Sequence, residues 1–235
     1  MNIFSQLADL KGIVVDLLFP VWCVCCGKKG SYICPSCYSL FVQLLPPLCP
    51  KCGRPQPDNI ICTRCINEQA EINGIRSPFQ FEGLLRQAIH QLKYRNLRAL
   101  ATPMARFLHE FLINNPLPGD TLVPVPLHQK RIRERGYNQS NLLARELGKL
   151  TNLPVISDCL IRKRYAPSQA KTATANQRYS NVADAFYCQD NRLKDKQILL
   201  IDDVSTSGAT LNACAAALKA AGVTTVWGLV LAREI

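Results

Sequence analysis

The stretch that decides the fold reads Ile198-Leu-Leu-Ile-Asp202-Asp203-Val-Ser205-Thr206-Ser207-Gly208-Ala209-Thr210. It opens with apolar residues typical of a buried strand, and two adjacent carboxylates follow where that strand is expected to end. Small hydroxyl residues and one glycine come next, before an alanine-rich helix expected at residues 211–221. The start of a helix favours negative charge because its N–H groups are unpaired and its dipole is positive there. The stretch therefore predicts a phosphate cradle beside two solvent-accessible carboxylates, suited to a phosphorylated sugar; an ordinary strand-to-helix turn is the alternative.

Strands and helices alternate along the chain from about residue 75. Strands are expected at residues 78–83, 121–126, 154–160 and 224–231, and helices at 84–112 (divided at Pro103) and 142–150. The later strands are almost continuously apolar, which predicts an α/β fold with a parallel sheet covered on both faces. Residues 167–182 are polar without a clear period and are expected to form a mobile loop.

Ligands of parallel sheets bind outside the carboxyl ends of the strands. Two such ends carry polar or charged loops, one after Pro126 and one after Ile201. We therefore expect these two loops to face one another across a single site.

Composition narrows the class of protein. The chain has 235 residues, 48% of them hydrophobic, so a sizeable core plus a small module is feasible and wholesale disorder is excluded. The net charge of +11 predicts attraction to polyanions, either a pyrophosphate-bearing substrate or nucleic acid. No apolar run reaches the ~18 residues of a membrane span, and no charged region precedes an apolar one at the N-terminus. We therefore expect a cytoplasmic protein without a membrane span.

Eight of the twelve cysteines form four C-x-x-C pairs. The pairs are Cys23/Cys26, Cys34/Cys37, Cys49/Cys52 and Cys62/Cys65. Each pair makes a tight turn with two thiolates, and two turns complete the closed S4 set of structural zinc. We predict two structural Zn²⁺ ions, with the sharing of pairs left open; redox motifs or an iron–sulfur cluster are the alternatives. Cys25 lies between two ligands and is not among those expected.

The stretch at residues 198–210 resembles the signature with which type I phosphoribosyltransferases bind 5-phosphoribosyl 1-pyrophosphate (PRPP). The resemblance implies that Asp202 and Asp203 contact the ribose 2- and 3-hydroxyls, and that residues 206–210 hold the 5-phosphate. The PRPP-binding residues implied are Asp202, Asp203, Ser205, Thr206, Ser207, Gly208, Ala209 and Thr210.

Nearly the whole chain resembles the ComF family. The resemblance is carried by residues 123–128 (Val-Pro-Val-Pro-Leu-His), 135–139 (Arg-Gly-Tyr-Asn-Gln) and 201–210, with Gln169, Gln177, Arg178 and Asn181, and by cysteine pairs similar to a double zinc ribbon. It implies a type I phosphoribosyltransferase-like parallel sheet flanked by helices and preceded by that small module. The expected domains are an amphipathic helix at 1–20, the double zinc ribbon at 21–72 and the phosphoribosyltransferase-like domain at 75–235.

The resembled fold places its pyrophosphate contacts in the loop after strand 121–126. Here that loop offers Pro126, Leu127, His128, Lys130 and Arg131, with Mg²⁺ bound alongside PRPP. His128 and Arg135 are the candidate catalytic residues, while Asn138 either orients the substrate or caps the following helix. Thr206 stands where purine-salvage members carry an aspartate base, and a threonine cannot be that base at neutral pH. The acceptor is therefore open.

Two functions follow from these observations. The first is transfer of a 5-phosphoribosyl group to an unknown acceptor, with a family link to DNA uptake in natural transformation. The alternative is a non-enzymatic single-stranded DNA-binding competence factor in which PRPP or nucleotide binding is regulatory. The expected partners are PRPP, single-stranded DNA and other competence proteins.

Overall fold

The computed structural model describes residues 20–67, 70–163, 185–188 and 190–235. The helix expected at 1–20 (apart from Pro20) and the loop expected at 167–182, with its family-like Gln169, Gln177, Arg178 and Asn181, lie outside the described residues. The helices described are α1 (Pro35–Tyr38), α2 (Thr63–Asn67), α3 (Gly83–Tyr94), α4 (Ala101–Asn114), α5 (Gln129–Arg135), α6 (Gln139–Thr151) and α7 (Ala209–Ala220). The strands are β1 (Gly74–Arg76), β2 (Phe79–Gln80), β3 (Thr121–Pro124), β4 (Leu160–Arg162), β5 (Phe186–Cys188), β6 (Gln197–Ser205) and β7 (Thr225–Arg233).

A parallel sheet carries the deciding stretch on its central strand, β6. The strand order is β1-β7-β6-β3, and β2 extends the outer edge by pairing with β7 beyond β1. Ile201 pairs with Pro124 on one side and with Leu229 on the other. The parallel α/β fold predicted from the apolar strands is confirmed.

Both faces of this sheet are covered, because successive strand residues are apolar. Leu199 and Ile201 belong to a core shared with α3, α4 and α6. Ile198 and Leu200 point the other way and join a second core with α7 and the antiparallel pair of strands β4 and β5. This alternation between two cores is why residues 198–201 of β6 have no polar face.

The helical region at 84–112 contains two helices, but the break between them does not lie at Pro103. It lies at residues 95–100, where Asn96 adopts a left-handed φ of 54° and Arg98–Leu100 forms a short 3-10 turn. Pro103 sits in the first turn of α4, where a proline is tolerated because the early N–H groups of a helix have no partner within it.

Two further expectations differ from the structure. Within residues 154–160 only Val155 pairs with the main sheet, by a bridge to Leu122, whereas Leu160–Arg162 forms a separate two-stranded antiparallel sheet with β5. Ser157 and Asp158 are polar and exposed, which separates the two short segments. The basic segment after His128 contains the helix α5 in place of a continuous loop.

The cysteine-rich segment packs on the edge of the sheet through aromatic rings. Tyr38 stacks on Phe107 of α4 with 4.5 Å between ring centroids, and Phe41 meets Phe79 of β2 edge-on at 5.5 Å. Phe41 and Phe79 belong to the same buried core as α3 and α4. Among the described helices, none is long and apolar enough to cross a membrane.

Candidate functional site

The acidic pair lies inside β6 and not beyond its end. The β6–β7 ladder continues past both aspartates to the pair Ser205–Arg233. The polar residues after Ile201 were expected to end the strand, but the long neighbouring strand β7 supplies hydrogen-bond partners that keep them extended. The sheet therefore fixes the backbone of both aspartates rigidly.

The hydroxyl loop (residues 205–210) turns from β6 into α7. Gly208 is the N-cap of α7 with a left-handed φ of 86°, a conformation that favours glycine, and a Cβ there would meet Ile75 Cδ1 at 3.1 Å. Ser207 Oγ accepts a hydrogen bond from Ala209 N–H at 3.3 Å. A small cavity of about 40 Å³ lies at this turn, lined by Asp202 and residues 204–211. The loop thus joins an anion-favouring helix start to one of the two carboxylates.

The two carboxylates are enclosed by side chains from α3 and α6. Asp202 Oδ1 accepts hydrogen bonds from Ser140 Oγ at 2.7 Å and from Asp203 N–H at 2.9 Å. Lys93 Nζ lies 2.6 Å from Asp203 Oδ2, and Gln139 Nε2 donates to Asp203 Oδ1 at 3.4 Å. Asp202 is only 8% exposed and Asp203 2%. The expectation of a solvent-accessible pair is therefore wrong for this state of the protein, because α3 and α6 pack across the edge where the carboxylates emerge.

Enclosure also changes the acidity of the pair. Burial raises the pKa of Asp202 to about 7, and the neighbouring charge of Asp203 adds to this effect. The hydrogen bond from Ser140 and the ammonium of Lys93 act in the opposite direction. Asp202 is therefore a group whose charge changes near neutral pH.

The loop after β3 reaches the same edge of the sheet, as the strand order requires. Val125 N–H donates to Ile201 O at 2.9 Å, so Pro126, Leu127 and the residues after them leave beside the acidic strand. His128 is the N-cap of α5, and its Nδ1 accepts from Lys130 N–H at 3.2 Å. Lys130 and Arg131 follow in the first turn of that short helix.

A chain of polar contacts joins the end of α5 to the acidic pair. Arg135 donates to Gln139 Oε1, and Gln139 in turn donates to Asp203. Asn138 caps α6 by accepting from Ser140 N–H at 3.0 Å, while its Nδ2 donates to Val125 O at 2.9 Å. Of the two roles expected for Asn138, the structure displays the capping role. Residues 135–140 thus connect Val125, just after the end of β3, with the acidic pair in β6.

Several residues of the site were not predicted. Lys93 belongs to none of the motifs described above, and Ser140 lies just beyond the Arg-Gly-Tyr-Asn-Gln run. Arg54 and Arg64 of the cysteine-rich segment donate to the carbonyls of Thr206 and Ser207. Only the proximity of Ser140 to Gln139 gave a local signal.

The four C-x-x-C pairs gather into two clusters. The first cluster is Cys23, Cys26, Cys34 and Cys37, and the second cluster is Cys49, Cys52, Cys62 and Cys65. Within each cluster the sulfur atoms lie within 4.8 Å of one another, so each tetrad of consecutive cysteines fits one tetrahedral Zn²⁺ ion. The Cys25 thiol donates to Leu84 O at 3.5 Å and stands outside the first cluster.

Backbone N–H groups lower the pKa of one thiol in each cluster. Burial raises the pKa of Cys23, but N–H groups of Cys34, Cys26 and Cys25 outweigh it and lower the pKa to about 6. The pKa of Cys49 is likewise lowered to about 6, against the effect of burial. Metal ligation needs the thiolate, so this donor set suits structural zinc.

A stripe of aromatic and basic side chains runs along the outer face of α3 to the end of α5. It consists of Phe81, Arg86, His90, Tyr94 and Arg135. The Arg86 guanidinium lies 5.6 Å from the Phe81 ring centroid, and that of Arg135 lies 5.3 Å from Tyr94. Tyr94 is 65% exposed, so the stripe presents a ring and cations to solvent beside the acidic pair.

Comparison with known proteins agrees with both parts of the chain. A double zinc ribbon domain model matches residues 14–66, and a phosphoribosyl transferase domain model matches residues 132–234. Competence protein ComFC of Bacillus subtilis (strain 168) is 29% identical over 202 residues, covering 83% of this chain and 81% of that protein. DNA utilization protein YhgH of Salmonella typhi is 31% identical over 195 residues, covering 80% and 85%. Competence protein F of Haemophilus influenzae is 28% identical over 215 residues, covering 90% and 84%.

Solved structures share only a distant likeness. Purine phosphoribosyltransferase from Pyrococcus horikoshii Ot3 is 20% identical with a TM-score of 0.35, over 56% of this chain and 70% of that one. Glutamine PRPP amidotransferase from B. subtilis is 19% identical with a TM-score of 0.37, over 56% of this chain and 26% of that one. The level of identity to YhgH and the extent of the match, together with the domain models for both parts, lead to one conclusion: the chain belongs to the ComF family.

Proposed function

We propose that this protein binds PRPP with Mg²⁺ and transfers its 5-phosphoribosyl group to an acceptor. The observation that carries the proposal is the juxtaposition of Asp202 with the hydroxyl loop at one small cavity. A carboxylate suits ribose hydroxyls, and the start of α7 suits a 5-phosphate. We further propose that the chain acts in the cytoplasm and that its domains divide at residues 1–20, 21–72 and 75–235.

In this proposal each loop has a separate task. Residues 206–210 hold the 5-phosphate with N–H and hydroxyl donors, and Asp202 and Asp203 accept hydrogen bonds from the ribose hydroxyls. Lys130 and Arg131 lie where the pyrophosphate would leave, and Arg135 adds positive charge beside them. Carboxylate and substrate oxygens are the ligands that Mg²⁺ prefers, and the ion would neutralise charge on the leaving pyrophosphate.

The closed acidic pair sets a condition on this function. Lys93 and Gln139 both contact the Asp203 carboxylate, so the ribose hydroxyls must displace these two side chains before they bind that carboxylate. His128 Nδ1 accepts the Lys130 N–H at the start of α5, so a role of His128 toward the substrate has to be compatible with this cap. The acceptor stays undefined because Thr206 offers no base.

Calorimetric titration with PRPP and Mg²⁺ tests the proposal. The double variant Asp202→Asn/Asp203→Asn should abolish the binding heat. It removes both negative charges, while each asparagine keeps the shape of the aspartate that it replaces. Asp158→Asn is the matched control, since Asp158 is an exposed aspartate whose partner is Arg192. Wild-type protein that binds no PRPP, or a double variant with undiminished affinity, would overturn the assignment. If wild-type protein binds PRPP, release of pyrophosphate on addition of candidate acceptor bases would identify the acceptor.

A second candidate function is the binding of single-stranded DNA along the stripe that ends at Arg135. Bases stack on exposed rings and phosphates pair with nearby cations, and both features occur together there. Tyr94→Ala should weaken binding of an oligothymidylate by roughly fivefold or more, since one stacked base is worth ~1–3 kcal/mol. Tyr187→Ala is the control, because Tyr187 also pairs with a cation, Lys163, but belongs to β5, which packs on the opposite face of the main sheet. If both variants bound the oligothymidylate with equal affinity, the stripe would be excluded as the DNA-binding surface.

A further inference from the structure

Two arginines of the cysteine-rich segment donate hydrogen bonds to backbone carbonyls of the hydroxyl loop. Arg54 Nη2 donates to Thr206 O at 3.0 Å, and Arg64 Nη2 donates to Ser207 O at 3.2 Å. These are successive carbonyls of the turn into α7. Two charged donors on adjacent peptide groups fix the orientation of both groups more firmly than neutral contacts would.

The orientation of those carbonyls determines where the loop N–H groups point. In a trans peptide the C=O and the N–H of the next residue point in opposite directions. When Arg54 holds Thr206 O, the N–H of Ser207 is directed away from the arginine. When Arg64 holds Ser207 O, the same applies to Gly208 N–H. The two guanidiniums therefore turn two consecutive donors away from the cysteine-rich segment.

Both arginines are placed by the second cluster. Arg54 follows Cys52 by two residues, and Arg64 immediately precedes Cys65. The turn that carries Cys52 is fixed on β1, since Ile75 N–H donates to Lys51 O at 2.8 Å. A Cβ on Gly53 would meet Ile75 O at 2.5 Å, so this turn approaches the strand as closely as a backbone can.

The charges around the second cluster link it further to the loop. Arg233 is only 1% exposed and its Nη1 donates to Ser205 Oγ at 3.1 Å. Burial lowers the pKa of Arg233, the thiols of Cys52 and Cys65 raise it, and Arg54 and Arg64 lower it. Arg233 therefore hydrogen-bonds the loop at Ser205 while its charge interacts with the thiols of the second cluster.

We propose that Arg54 and Arg64, which the second cluster places, are positioning residues for the hydroxyl loop and thereby set its affinity for the sugar phosphate. This inference rests on the proposed function for its ligand. Arg54 is the sharper probe, because its contact to Thr206 is the shorter of the two.

The test compares Arg54→Gln with Arg76→Gln. Arg76 also lies near the second cluster and donates to backbone carbonyls, those of Ile75 and Pro50 at 2.9 Å, but it does not hold the loop. Two quantities are measured at full zinc content: calorimetric affinity for PRPP with Mg²⁺, and NMR amide exchange at Ser207 and Gly208 without ligand. Arg54→Gln should weaken binding about tenfold, equivalent to ~1.4 kcal/mol. It should also speed exchange at Ser207, whose peptide group Arg54 holds, more than at Gly208, whose peptide group Arg64 still holds. Arg76→Gln should stay within about twofold of wild type, and Arg54→Lys should recover part of the affinity.

The outcomes separate this inference from the proposed function. Wild-type affinity in Arg54→Gln, or an equal loss in Arg76→Gln, overturns the positioning role. If wild-type protein itself binds no PRPP, the proposed function fails, and amide exchange alone decides the positioning role. Faster exchange in Arg54→Gln only would support it, and unchanged exchange would refute it.

Discussion

The ion pair between Lys93 and Asp203 is the contact on which the closed site depends most, and Lys93→Met removes it while keeping a long apolar side chain. The Nζ–Oδ2 distance is 2.6 Å, and the Asp203 side chain is 3% exposed against 19% for Lys93. Loss of one partner from a buried pair costs ~3–5 kcal/mol because the other charge stays buried. Solvent still reaches Lys93 and reduces this cost, so we expect a loss of about 2–3 kcal/mol in the free energy of unfolding.

Urea unfolding in zinc-containing buffer measures this loss, with Lys149→Met as the control. Lys149 pairs with Glu146 on the surface of α6, and such an exposed pair should contribute less than ~1 kcal/mol. Combining Lys93→Met with Asp203→Asn should recover most of the lost stability, because no charge is then left unpaired. A loss in Lys93→Met no greater than that in Lys149→Met would refute the reasoning.

Three further predictions concern acidity, metal and the loop glycine. Because burial raises the pKa of Asp202 from 3.8 to about 7, wild-type protein should lose stability as pH rises from ~4 to ~7 and change little above that. Relative to wild type, Asp202→Asn should therefore gain ~1 kcal/mol or more between pH 5.5 and 8.5 in urea unfolding; a pH-independent difference would contradict this. Elemental analysis should find two zinc ions per chain, one for each cluster, and one ion in a Cys37→Ser variant; iron, or an unchanged content, would rule out the tetrads. Gly208→Ala should lower stability by ~1–2 kcal/mol in thermal unfolding, more than Gly83→Ala, whose added Cβ meets nothing within 4 Å; equal losses would show that contact with Ile75 is immaterial.

Patterns local in sequence predicted much of this molecule. The apolar run of β6, the hydroxyl loop and the C-x-x-C spacing each express one element's own chemistry, and each led to the right element. Gly136 was also an available signal: it adopts a left-handed φ of 80° as the C-cap of α5, and a glycine at that position is a common helix stop. Reading the segment only as a charged exit from β3 missed the helix.

The contacts that complete the site could not be found in this way. Lys93 reaches Asp203, and Arg54 reaches Thr206, only because the packing of α3 and of the second cluster brings them there. The length of β6 was likewise underestimated, since polar residues remain in a strand when a neighbour as long as β7 pairs with them. These features depend on tertiary partners, which a periodicity in one segment does not encode.

In the proposed PRPP site, the contacts that enclose the acidic pair must be broken before the ligand binds, and breaking them costs free energy. When a ligand binds only an open form of a protein, its apparent affinity is lower in proportion to the fraction of molecules that are open. The free energy that stabilises the contact between Lys93 and Asp203 therefore reduces the apparent affinity. The contacts that would have to change are not independent, because Gln139 bonds both Arg135 and Asp203. If pyrophosphate draws Arg135 away, Gln139 loses its anchor and its contact with Asp203 weakens at the same time. Occupation of the pyrophosphate side would then lower the cost of admitting the ribose hydroxyls, which favours the whole PRPP molecule over ribose 5-phosphate by more than the added contacts alone.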